Sequence, residues 1–198
     1  FVFTRNGQTW TEQQILTGSN TESGDRFGRD VTIDGDTIVV GAFFEGSDAA
    51  GIDGPQDNNN RVASGAAYVF TRNAGTWSQQ AYLKASDPVT DDLFGGTLSL
   101  SGNTLAVGVY HKNQERGAAY IFVRDGSIWS QQDYLEASNM GFQDDFGAAL
   151  SLSGDLLVVG AAREDGEGDT IASDAGAVYA FRRDGVTWSE IAYLKASN

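Results

Sequence analysis

The chain contains no cysteine, one histidine and two prolines. Without cysteine there are no disulfides and no thiol chemistry. With His111 as the sole histidine, zinc sites built from Cys and His are excluded within the chain. A Ser–His–Asp arrangement has only this residue to draw on, and it stands beside Lys112 in a short variable loop. No apolar run approaches the ~20 residues that a membrane-spanning helix needs. No basic stretch leads an apolar one as in a secretory leader, and the chain opens on Phe1 in mid-repeat, which reads as a processed or cropped end. Helical periodicity is absent. Basic residues are scarce, 13 Lys and Arg against 27 Asp and Glu, for a formal net charge of -14. Such a surface repels phosphate backbones and argues against nucleic acid as a partner. The glycines sit at hairpins and strand ends, not in a phosphate-binding loop.

What the chain does have is one phrase written three times. It begins at Phe27-Gly28, Phe94-Gly95 and Phe146-Gly147 and ends at Val40-Gly41-Ala42, Val107-Gly108-Val109 and Val159-Gly160-Ala161. Four tryptophans, Trp10, Trp77, Trp129 and Trp188, mark a second phrase. The distance from each of the first three to the following Phe-Gly is constant. All length variation falls between the Gly closing the Val-Gly strand and the Gly opening the aromatic strand: Gly41 to Gly65, Gly108 to Gly117, Gly160 to Gly176. Constant segments are scaffold and variable ones are surface loops, where insertions cost little.

Each repeat predicts four strands. The first alternates (Val31-Thr32-Ile33, Leu98-Ser99-Leu100, Leu150-Ser151-Leu152), the pattern of a half-buried strand. A Gly-centred tight turn leads to a short apolar run such as Ile38-Val39-Val40, which predicts a strand covered on both faces. The third is aromatic (Tyr68-Val69-Phe70, Tyr120-Ile121-Phe122, Tyr179-Ala180-Phe181, and a truncated Phe1-Val2-Phe3). The fourth follows turns such as Arg124-Asp125-Gly126, strong hairpin signals, and runs from Trp to Tyr-Leu with the polarity of an outer strand. Four antiparallel strands per repeat predict an all-β fold, a β-propeller built of four-stranded antiparallel blades. About three and a half blades are present: a half blade at 1-20 and blades at 21-86, 87-138 and 139-198.

These phrases resemble the FG-GAP repeat family, named for the Phe-Gly and Gly-Ala-Pro phrases of integrin α-subunit propellers, and its bacterial-type branch in particular. Gly41-Ala42 and Gly160-Ala161 lack the family's proline, and Gly108-Val109 departs further. The resemblance implies a seven-bladed ring, an extracellular or cell-surface setting, and ligand binding or adhesion instead of catalysis. Three blades and a half fall short of a ring, so further sequence or neighbouring chains in a multi-chain assembly are expected to supply the rest. The calcium loop that integrins carry between Phe-Gly and Gly-Ala-Pro is replaced here by turns such as Ser153-Gly154-Asp155, too poor in oxygens for calcium.

The loops joining strands two to three and four to one form the expected ligand-binding face. Its candidates are Glu45, Asp48, Asp53, Asp57, Tyr110, His111 and Glu164. Asp165, Glu167 and Asp169 are spaced like the opening of a calcium loop, although Thr170 stands where a glycine is usual and no Glu closes it. A solvated acidic loop is the favoured reading of them, and Ca2+ is the one cofactor left open. Asp25, Asp92 and Asp144, two residues before each Phe, are expected to cap their loops. The recurring tryptophans are read as packing, not as sugar platforms, and Arg5, Arg72, Arg124 and Arg183 as partners of loop carbonyls or carboxylates. The function expected is a non-enzymatic binding or adhesion module for a protein or glycan ligand. Its alternatives are a structural subunit assembling with copies of itself and the non-catalytic propeller of a larger secreted enzyme.

Overall fold

A computed structural model describes residues 1–165 and 175–196. The described chain is all-β apart from one short turn. A hairpin of β1 (Val2–Asn6) and β2 (Thr9–Gln14) comes first. Sheet 2 holds β3 (Val31–Asp34), β4 (Thr37–Ala42), β5 (Ala66–Asn73) and β6 (Thr76–Leu83). Sheet 3 holds β7 (Thr97–Ser101), β8 (Thr104–Val109), β9 (Ala118–Asp125) and β10 (Ile128–Leu135). Sheet 4 holds β11 (Phe146–Ser153), β12 (Leu156–Ala161), β13 (Ala177–Asp184) and β14 (Thr187–Leu194). Each four-stranded sheet is an antiparallel meander in sequence order, as propeller blades are. The helical element over 112–115 is a left-handed turn, with Asn113, Gln114 and Glu115 at positive φ. A helical period could not announce it, because each residue sits there against its intrinsic preference.

The core lies between the sheets. Val39 and Val69 of sheet 2 share one apolar cluster with Leu98 and Leu100 of sheet 3, and Ala106 and Ile121 share the next with Phe146 and Leu152. This explains the patterns. β4 and β8 are buried along their whole length because sheets cover both faces. At the two ends of the stack the expectation fails. Val31 and Ile33 are 61% and 62% exposed where their counterparts Leu98 and Leu100 are buried, and Leu156 of β12 is 40% exposed. No described sheet covers those faces.

The Phe-Gly phrase is the joint between sheets. The rings of Phe94 and Phe146 are fully buried and meet the Tyr and Phe of their own third strand edge-on, at centroid distances of 5.3 to 6.0 Å. Their backbones meanwhile bridge to the preceding sheet, Phe94 in parallel with Gly65 and Phe146 with Gly117. A residue in the left-handed region precedes each Phe (Arg26, Leu93, Asp145) and turns the chain into this contact. The closing Gly of strand two lies under the same joint. A Cβ on Gly41 would stand 2.0 Å from the Gly95 carbonyl oxygen, and one on Gly108 2.2 Å from that of Gly147.

Two further seams run beside the joint. On the inner strands, Asp30 accepts from the Leu98 N–H (2.7 Å) and Asp34 from Gly102 (2.6 Å), while Ser99 accepts from Leu152 (2.9 Å) and Ser101 from Gly154 (3.1 Å). On the outer strands the indole N–H of Trp77, Trp129 and Trp188 donates to Gln13, Gln80 and Gln132 of the preceding strand four. The polar residues of the outer strand therefore join sheets as well as face solvent. Each tryptophan lies under its own sheet's arginine, Arg72, Arg124 or Arg183, at 5.2 to 5.4 Å. Those three indoles are buried, whereas Trp10 is 63% exposed.

Gly41→Ala and Gly108→Ala test the joint. Neither glycine has positive φ, so the strain is purely steric; a Cβ at Gly41 meets backbone, one at Gly108 meets both Thr97 Oγ1 and backbone, and each variant is expected to lose at least ~2 kcal/mol. Urea unfolding measures this; a change below about 0.5 kcal/mol would show that the sheets separate freely.

Candidate functional site

The loops after strand two and before strand one meet along one edge. Asp91 and Leu93 donate their N–H groups to the Val62 and Ala63 carbonyls, and Asp145 and Phe146 donate to Glu115 and Arg116. Arg61 Nη1 donates to the Pro88 carbonyl at 2.8 Å. The 43–64 loop also pairs onto the outer strand of its own sheet through Ile52 and Leu83. These loops are structured by the scaffold beneath them.

That support includes buried charge. Glu45 and Lys84 are fully buried and pair at 2.6 Å. Lys84 also donates to Ser64 Oγ at 2.7 Å, Asn20 donates to Glu45 Oε1 at 2.9 Å, and the Tyr68 hydroxyl donates to Asn20 Oδ1 at 2.6 Å. Sheet 4 repeats the pattern: Glu164 pairs with Lys195 at 2.7 Å, Asn139 donates to Glu164 at 2.8 Å, and Tyr179 donates to Asn139 at 2.5 Å. In sheet 3, Lys112 is the buried member, held by Asp92 at 2.9 Å and by Asp87 at 3.1 Å. Burial alone would push the Glu45 carboxyl up, but Lys84 and the Ser47 N–H hold it below its usual 4.5. Burial pushes Asp25, Asp92 and Asp144 up from 3.8. These three accept the N–H groups of Glu22, Val89 and Gly141, capping their loops as expected.

Glu45 and Glu164 are therefore interior residues, and their carboxylates are not presented to a ligand. Asp53 is exposed but accepts the Tyr82 N–H at 2.8 Å and pins the long loop. Asp48 is exposed and accepts from Asn60 at 2.9 Å; Asp57 is exposed. Asp165 is exposed, while Glu167 and Asp169 lie outside the described residues. Among the described residues no cluster of three His, Asp or Glu is placed to hold a metal ion. The connections between strands one and two are two-residue hairpins, with Gly35, Gly102 and Gly154 at φ of +55° to +57° and no room for a calcium loop.

Tyr110 and His111 are half-buried and belong to a larger strip that the sequence did not announce. Phe43 and Phe44 stack at 4.2 Å, the Arg29 guanidinium lies 5.4 Å over Phe43, and the same guanidinium neighbours Tyr110. Tyr110 then meets His111 edge-on at 4.9 Å. Beyond them Arg163 reaches Glu115 at 3.4 Å and Asp145 at 3.7 Å. The strip crosses all three complete sheets where their second strands end. It offers aromatic faces, the guanidinium groups of Arg29 and Arg163 and an imidazole, groups able to stack on and hydrogen-bond to another surface.

A family model described as FG-GAP repeat matches residues 10–70, 77–122 and 129–181. No curated protein sequence matches the chain. Among 68 matching solved chains, one from an S. cerevisiae complex of a Dbp5 variant bound to Nup159, a Gle1 variant, IP6 and ADP is similar at 9% identity and a TM-score of 0.41, over 82% of this chain and 36% of that one. The chain thus spans little more than a third of that solved chain's length.

Glu45→Gln tests the buried support. Removing the carboxylate leaves Lys84 buried and unpaired, which is expected to cost about 3–5 kcal/mol near neutral pH. The folded pKa of Glu45 is depressed, so its contribution is present above 4.5 and disappears as pH falls through the folded value. Denaturation of both proteins at neutral pH and at successively lower pH should show the gap narrowing once the pH lies below 4.5. A constant gap would assign the loss to packing.

Proposed function

The chain belongs to the FG-GAP repeat family, and on that premise we propose that it is an extracellular binding or adhesion module whose ligand meets the Phe43–His111 strip. FG-GAP repeats are non-catalytic scaffolds typical of integrin-like propellers, and this chain is no enzyme. The family is typically extracellular or on the cell surface. No helix among the described residues is long and apolar enough to cross a membrane.

The observation that supports a binding role is where the repeats cease to match. Equivalent positions after strand two carry Phe43-Phe44, Tyr110-His111 and Ala162-Arg163, while the joint between sheets beneath them is the same both times it is formed. A surface whose only task was packing would keep these side chains alike. Arg29 ties two loops into one surface, and Phe44 is 41% exposed upon it. The ligand is a protein or glycan surface presenting aromatic or CH-rich faces together with an acceptor for Arg29.

A second reading has its own support. The exposed Val31 and Ile33 at one end of the stack and Leu156 at the other are apolar faces of the kind that drive association. In that reading the chain is a structural subunit that joins other sheets into a larger assembly.

Wild-type protein and a Phe44→Ala/Tyr110→Ala/His111→Ala variant should be compared on arrays of glycans and of surface proteins. The binding reading expects a hit that weakens at least tenfold in the variant with an unchanged melting temperature. Absence of any hit, combined with a large particle by light scattering, supports the subunit reading instead. Mass that is unchanged by a calcium chelator would remove calcium from either one.

A further inference from the structure

The charges beneath the loops are reversed in the middle sheet, where Lys112 is buried against Asp92 and Asp87 and the half-buried Glu136 accepts from Asn113 and Tyr134. Three positions recur: one in the lead-in loop before strand one, one in the loop after strand two, and one directly after strand four. Sheet 2 fills them with Asn20, Glu45 and Lys84, and sheet 4 with Asn139, Glu164 and Lys195. Sheet 3 fills them with Asp87, Lys112 and Glu136. The acid after strand two has become a lysine, and the lysine after strand four has become an acid. In each sheet the third-strand tyrosine donates to the lead-in residue: Tyr68 to Asn20, Tyr120 to Asp87, Tyr179 to Asn139. The frame is constant while the signs alternate.

We propose that this alternation is an address code: it dictates which inner hairpin joins which outer strand pair, and prevents neighbouring repeats from exchanging hairpins during folding. The backbone does not discriminate. Val40, Val107 and Val159 face Tyr68, Tyr120 and Tyr179 in the same register. The hairpin of sheet 3, with its own lead-in loop, would therefore fit the outer pair of sheet 2. Charge discriminates instead. In that exchange Lys84, fully buried, loses Glu45 and meets Lys112. In the converse exchange Glu45 loses Lys84 and meets Glu136. Each product takes a buried charge from its native counter-ion, leaving Lys84 beside a lysine whose carboxylates, Asp87 and Asp92, are already engaged and Glu45 with no lysine at all, which proteins tolerate poorly. Specificity built from a repulsive alternative is what near-identical repeats need, because exchange between repeats is their characteristic failure. Sheets 2 and 4 carry the same signs, but sheet 3 lies between them.

The test gives the middle sheet its neighbours' charges with D87N/K112E/E136K. That set already serves two sheets of this backbone, so the melting temperature should stay near the wild-type value. Refolding from urea should fail more often: the native yield is expected to fall about threefold, with exchanged species of higher mass in size exclusion with light scattering. Wild-type yield and mass for a folded variant would overturn the proposal. N20D/E45K/K84E removes the alternation from sheet 2 and repeats the test if the first variant does not fold. Inverting all three sets, with N139D/E164K/K195E added to the six substitutions above, restores alternation and should restore refolding. If the fully inverted protein misassembles as often as the single-sheet variants, charge order is not the cause.

Discussion

Everything in this chain rests on the contact of one sheet's backbone with the next at Phe-Gly. The ring of Phe94 packs into its own sheet while its peptide bridges to Gly65 of the sheet before. One residue thus closes a sheet and joins two, which is why the phrase tolerates little variation. Phe supplies a ring large enough to fill the space over Tyr120 and Phe122. The glycines facing the contact leave room for carbonyl oxygens that any Cβ would strike. Burying such a ring is worth roughly 1.5–3 kcal/mol. The larger consequence is geometric, because the contact fixes the distance between sheets and every other seam must close at that spacing.

The outer seam shows the dependence. Gln80 can accept from Trp129 at 2.9 Å only because the sheets are already set by the inner joint. Trp188 uses Gln132 in the same way, and the strand-four position that would continue the series forward from sheet 4 is Ile191, 50% exposed. The tryptophan–glutamine link is therefore a feature of the joins seen between these sheets, not of every strand four. Arginine over indole completes the seam, and the same arginines reach carboxylates at the far turns: Arg72 bonds Asp36 and Arg183 bonds Asp155, both at 2.6 Å. The carboxylates of those turn pairs are 65% exposed, and the pairs contribute little beyond orientation.

Much of the fold was legible because its determinants are local and repeated. Alternation in Leu98-Ser99-Leu100, the Gly-centred turns and the constant Trp to Phe-Gly distance each report on one repeat, and one repeat suffices to see a four-stranded meander. What could not be read joins different repeats. Nothing in the Ser-Gln-Gln run says that its second glutamine seeks a tryptophan some fifty residues on, and nothing near Arg29 says that it lies between Phe43 and Tyr110. Composition misled in one respect. Glu45 and Glu164 were legible as acids on loops, and loop acids are ordinarily solvated; that they are buried depends on Lys84 and Lys195, which stand after a different strand. Setting the residue after Gly-Ala-x-x against the residue after Tyr-Leu points to the pairing in sheets 2 and 4, while in sheet 3, where both signs change, Lys112 is held by Asp92 and Asp87 instead.

The burial of those acids changes what kind of surface the loops present. A net charge of -14 suggests a face that attracts cations or basic partners. Near the strand ends, however, carboxylates are spent internally: Glu45 on Lys84, Glu164 on Lys195, Asp92 on Lys112, and Asp25 and Asp144 on backbone N–H groups. What remains outward along the strip is aromatic or cationic, from Phe43 and Phe44 through Arg29 and Tyr110 to His111. Asp48 and Asp57 are exposed on the long 43–64 loop. The buried ion pairs make this division possible. They hold loops of unequal length over a common frame, so the side chains above can differ from repeat to repeat without disturbing the joint below.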